Sequence, residues 1–124
     1  MRTLVSRIAS ALAARENCRR TGNREWELKH GETVDCLAEC LPSGSGWDNG
    51  TSIDDASTPN RIILSGSYHH MTEGGYDGWT DHTIIVTPDL VSGFSLRITG
   101  RNRNDIKDYI ADMFSAALAD EYKD

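Results

Sequence analysis

The chain has no apolar run approaching the roughly 18 residues that would cross a bilayer. Its first segment, MRTLVSRIASALAARENCRR, is interrupted by Arg2, Ser6, Arg7 and Ser10. A secretory leader is not expected either, since it needs an unbroken apolar centre and this segment carries a helical stripe instead. Cysteine is scarce: the chain has 3, which cannot all pair with one another, so a reducing cytosol is expected rather than a disulfide framework. In that compartment the Asn49-Gly50-Thr51 sequon carries no sugar. Positive charge is in deficit, with 13 Lys and Arg against 19 Asp and Glu for a net −6. That balance argues against broad nucleic-acid binding, which needs a cationic surface to neutralise phosphates. It keeps the chain soluble and would suit a partner with a basic surface. Internal repeats and interdomain linkers are also missing, and 124 residues with 38% hydrophobic content make one domain.

What is present is helical periodicity at both ends and strand alternation between them. Leu4, Val5, Ile8, Ala9, Leu12 and Ala13 form a stripe that predicts a helix over residues 3–18, broken by Thr21 and Gly22. Asn23 is an N-cap for a second helix carrying Trp26, Val34, Leu37, Ala38 and Leu41 on one side, weakened by Gly31 and stopped at Pro42. Residues 43–60, SGSGWDNGTSIDDASTPN, are turn formers with little periodicity and read as a flexible loop. Strands are expected at 61–69, 80–88 and 94–99. In the last of these Phe94, Leu96 and Ile98 alternate with Ser95, Arg97 and Thr99, while His82, Ile84 and Val86 share a face of the strand before it. Asn104 then caps a helix over 105–122 with Ile106, Tyr109, Ile110, Met113, Phe114, Ala117 and Leu118 at core spacing. The expected fold is α+β, a three-stranded antiparallel sheet with helices packed on one face, in the order ααβββα.

Chemistry-bearing residues concentrate in SYHHMTEGGYDGWTDH, residues 67–82. One hairpin register brings His69 near Asp81, an arrangement suited to a carboxylate-oriented general base; another brings His70 near His82, which could supply two imidazole ligands. Neither spacing is a metal signature, and the common alternative is histidines satisfied by hydrogen bonds in a hairpin. No metal site or cofactor is expected. Tyr76 and Trp79, beside Gly74, Gly75 and Gly78, offer large faces for gripping a partner, although Trp79 could equally close the end of the core. Arg101 and Arg103 arrive just ahead of the last helix, where exposed amides favour an anion, and Arg97 on the polar side of its strand could join them. No P-loop or dinucleotide spacing accompanies them, and pairing with Asp105 or Asp108 is the plainer reading. Cys36 and Cys40 stand one helical turn apart without a second pair to complete a zinc site. Arg15, Arg19, Arg20 and Arg24 form a basic spot that could touch phosphate or an acidic partner, or be solvated charges at a helix end.

The segments LPSGSGWDNGT, YHHM, GYDGWTDH and GRNRNDIKDYI resemble those of a group of small phage, prophage and plasmid proteins that carry no established activity. Members often have Phe in place of Trp47 and Asp in place of Asn102. The resemblance spans most of the chain and implies a setting rather than a reaction: an accessory protein of a mobile element in a bacterial cytoplasm. The leading expectation is a non-enzymatic binding module for a host protein or a small anionic ligand, inhibiting a defence or regulatory system, away from membranes and possible as a homodimer. The alternative is a small hydrolytic or phosphoryl-handling enzyme using His69, His70, Asp81 and His82 with Arg101 and Arg103.

Overall fold

The computed structural model describes residues 3–42, 47–71, 77–89, 93–99 and 104–121, with the backbone alone for 47–49, 68–71, 77–81 and 104–107. Three helices, α1 (Leu4–Thr21), α2 (Arg24–Ala38) and α3 (Asn104–Ala119), accompany four strands, β1 (Trp47–Ile53), β2 (Ile62–Met71), β3 (Asp77–Asp89) and β4 (Gly93–Thr99). The strands form one antiparallel sheet in the order β1-β2-β3-β4. The fold is therefore α+β as expected, with a fourth strand where the sequence suggested only loop.

That extra strand lies within residues 43–60. β1 pairs with β2 from Trp47↔Tyr68 to Ile53↔Leu64, but the register shifts between Asp48 and Thr51. Gly50 there adopts φ 73°, a left-handed conformation that glycine tolerates without steric cost. The irregularity interrupts the two-residue alternation, so the only inward pattern left in the sequence is Thr51 and Ile53. Past β1 the chain turns on its own side chains. The Asp54 carboxylate accepts the Ala56 N–H at 2.8 Å, and the buried Ser57 hydroxyl accepts the Ile63 N–H at 2.9 Å.

The two leading helices meet through paired caps. Gly22, at φ 75°, closes α1 with its N–H on the Arg19 carbonyl, and the Asn23 N–H reaches the Cys18 carbonyl at 2.9 Å, the hydrogen-bond pair of a Schellman motif. The Asn23 side chain then accepts the Trp26 N–H and opens α2, as its position in the sequence predicts. The buried stripe of α1 runs Leu4, Ile8, Ala11, Leu12, Arg15 and Cys18, so Ala13 faces out and an arginine faces in. In α2 only Val34, Leu37 and Ala38 are buried; Trp26 is 49% exposed, contrary to its place in the expected stripe. In α3 the core positions are Ile110, Phe114 and Leu118, one i, i+4 row, while Tyr109 and Met113 lie on the exposed side. The capping role of Asn104 and the place of Ile106 lie outside the described side chains.

Among the described side chains, the buried sheet residues, Thr51, Ile53, Ile62, Leu64, His82, Ile84, Val86 and Ile98, belong to one face, which the helices cover. Fully burying each large aliphatic side chain there contributes roughly 1.5–3 kcal/mol, offset by ordering entropy. The ends of the chain meet: Thr3 bridges Glu121, and the Leu4 N–H donates to the Asp120 carbonyl at 2.9 Å. Among the described residues, no helix is long and apolar enough to cross a membrane.

Candidate functional site

The β2–β3 ladder runs unbroken from Ile62↔Val86 to Met71↔Asp77 and fixes the register on which the histidine readings depended. His82 stands opposite Gly66, Asp81 opposite Ser67, His69 opposite Trp79 and His70 opposite Gly78. The His70/His82 arrangement is not formed: the two residues are four pairs apart, about 13 Å along a ladder that rises ~3.3 Å per residue. His69 and Asp81 occupy diagonal positions, two pairs apart on the same side of the alternation. The side chains of His69, His70, Trp79 and Asp81, and all of Tyr76, Arg101 and Arg103, lie outside the described residues.

His82 is described, and it is a core residue at 3% exposure. Its ring meets Phe114 edge-on, with centroids 5.8 Å apart and planes at 74°. On the other side it lies against Gly66, where an added Cβ would stand 3.2 Å from Nε2. The imidazole thus fills the layer between β2, β3 and α3, on the face it shares with Ile84 and Val86. A general acid or base must come within hydrogen-bond reach of its reactant, and at 3% exposure the His82 ring is withdrawn from solvent.

Among the described residues, no helix covers the opposite face of the sheet. Across it runs a row of hydroxyls, Ser52↔Ser65↔Thr83↔Thr99, one from each strand. Ser52 and Ser65 share a hydrogen bond at 3.2 Å between their oxygens, and Thr99 donates to the Thr83 carbonyl at 3.3 Å. The next row is Ile63↔Ile85↔Arg97, and Thr87↔Ser95 follows. Arg97 is exposed, as its strand alternation predicts.

The basic spot divides. Arg20 turns outward to the Asn17 side chain at 2.7 Å, whereas Arg15, Arg19 and Arg24 line one cavity of about 430 Å³ with Glu27, Leu28, Gly31, Glu32, Asp35 and Asp55. Arg15 is only 5% exposed. Its Nη2 donates to the Asp55 backbone carbonyl at 3.2 Å, and its Nη1 lies 3.7 Å from the Asp55 carboxylate. Burial, and then the like charge of Arg19, pull the Arg15 pKa below its ordinary value, against the opposing pull of Asp55, Asp35 and Glu27. Arg19 Nε donates to Glu27 at 3.0 Å, and Arg24 approaches the same oxygen at 3.6 Å. A buried arginine was missed by reading the four arginines as one surface group. The signal was its spacing: Arg15 follows Ile8 by seven residues and Ala11 by four, which puts it on the core stripe of α1.

Cys36 and Cys40 are both exposed, and among the described residues no group of three or more His, Cys, Asp or Glu is placed to hold a metal. Comparison of the chain with protein-family models, with curated proteins and with solved structures finds no match in any of the three.

Proposed function

We propose that the protein is a non-enzymatic binding module, an accessory protein of a phage or related mobile element that works in the bacterial cytoplasm by binding a host protein of a defence or regulatory system. The observation that carries this reading is the uncovered sheet face. Its hydroxyl row, the Ile63/Ile85 pair and the exposed Arg97 combine polar positions, a small apolar centre and a cation on a rigid four-stranded platform. Such a surface can recognise a partner without large rearrangement. The edge strands β1 and β4 also leave backbone available for pairing, so a homodimer belongs to the same reading. The hydrolytic or phosphoryl-handling alternative is disfavoured by the position of His82, which packs against Phe114 inside the core.

The test is paired affinity capture from bacterial lysate with wild-type protein and with Thr83→Arg, which places a long charged side chain at the centre of the open face. A protein retained by wild type and lost from the variant is the expected result, followed by a measured affinity loss of at least about 30-fold, the scale of a disrupted interface centre. Identical retention by both baits would remove this face from the function.

A further inference from the structure

We infer that the cavity between α1, α2 and the β1–β2 turn is a binding site for a small zwitterion of amino-acid type, with the carboxylate on Arg15 and the cationic group among the acids of the rim. This site is separate from the open sheet face and does not depend on the function proposed for it.

Arg15 supplies the first reason. A guanidinium carries five N–H donors and is costly to remove from water unless its donors are matched. Here Nη2 has a carbonyl at 3.2 Å, while the nearest carboxylate, Asp55, stands 3.7 Å from Nη1 on a side chain that is 97% exposed. A solvated carboxylate at that distance offsets little of the cost. It is also easily displaced by a ligand carboxylate able to take two N–H groups at once. Arg19 also lines the cavity, with its Nε already held by Glu27 at 3.0 Å.

Gly31 supplies a second, independent reason. A glycine inside a helix sacrifices stability, and α2 carries one where the helix faces the cavity. A Cβ there would meet only the Arg15 Cδ, at 4.0 Å, so packing does not demand glycine. What glycine preserves is the open space above the arginine stem.

The charges of the lining select the ligand. Four carboxylates face three arginines, and Glu27 is already engaged by Arg19 and Arg24. A phosphate dianion would meet Arg15 but also the negative charge of Glu32 and Asp35, besides that of Asp55 beside Arg15. A simple cation would suit the rim acids but leave the Arg15 donors unmatched. A molecule with one charge of each sign satisfies both halves, and the exposed Leu28 offers an apolar wall for its side chain. The groove, about 430 Å³ and open to solvent on one side, has room for such a molecule.

The test is isothermal titration of the full chain with each common L-amino acid, its methyl ester, its N-acetyl form, sodium acetate and inorganic phosphate. Binding of at least one free amino acid is expected, weakened tenfold or more by either blocking group. Gly31→Met, which fills the cavity without touching a charge, and Arg15→Gln should each abolish it, whereas Arg20→Gln, outside the cavity, should not. Circular dichroism checks that each variant is folded; if Arg15→Gln is not, Gly31→Met decides. The inference is overturned if no free amino acid binds at millimolar concentration, if the blocked forms or the simple anions bind equally well, or if Gly31→Met binds like wild type.

Discussion

Gly66 and His82 face each other across β2 and β3, and substituting the glycine measures how closely the imidazole is packed. An alanine Cβ at residue 66 would stand 3.2 Å from His82 Nε2 and 3.4 Å from the Gly50 carbonyl oxygen. The first contact is too tight and the second is at the edge of ordinary. Forcing a methyl into a packed core costs about 1–3 kcal/mol. Restricting the unfolded chain returns about 0.5–1 kcal/mol where the backbone is compatible with alanine. Gly66→Ala should therefore destabilise by about 1 kcal/mol, a fall in melting temperature of roughly 3–5 °C for a domain of this size. In a His82→Ala background, itself weakened by the cavity left beside Phe114, the close contact is gone and the same substitution should be neutral or mildly stabilising. The assay is urea unfolding of the four proteins of the cycle, comparing midpoints at equal slopes. A coupling of about 1 kcal/mol or more between the two sites is expected. Additivity within about 0.5 kcal/mol would refute the packing described for His82.

Arg15→Met keeps the buried stem and removes the charge. Burial lowers the Arg15 pKa, so the folded state disfavours its charged form; that cost is fully present at neutral pH and recedes only in alkaline solution as pH rises past the folded pKa. At neutral pH the variant should lie within about 1 kcal/mol of wild type or above it; a loss beyond ~2 kcal/mol in urea unfolding would mean that Arg15 serves the fold. Asn23→Ala removes the side-chain acceptor for the Trp26 N–H and should cost about 1 kcal/mol, read as a lowered thermal midpoint, with no change expected if the cap is idle.

Much of this fold was legible because its patterns are local. Strand β4 alternates cleanly, β2 and β3 carry β-branched apolar runs, and the register of Ile84 with Leu64 and Ile98 follows from burying one face. Asn23 announced α2 because a cap is set by neighbours three residues away. β1 was hidden because its irregularity at Asn49 and Gly50 breaks the alternation on which a strand is recognised. Trp26, Tyr109 and Met113 were expected inside on helical spacing alone, but how far a helix overlaps its neighbours is a tertiary matter that periodicity does not encode. The same holds for the site. Arg97 was placed correctly by alternation, whereas the juxtaposition of Arg15 with Asp55 joins residues forty apart through the β1–β2 turn, and no local pattern records it.

The contact between the chain ends bears on the order in which the molecule can be completed. The first amide groups of a helix ordinarily lack a backbone acceptor, yet the Leu4 N–H has one in Asp120, from the far end of the sequence. Terminal amides usually exchange with solvent through local fraying, but exchange at Leu4 requires the segment after α3 to detach as well. During synthesis α1 emerges well before the segment after α3 and can gain this hydrogen bond only once residue 120 has been made. Slow exchange at Leu4 thus marks a molecule in which the segment after α3 has docked on the start of α1.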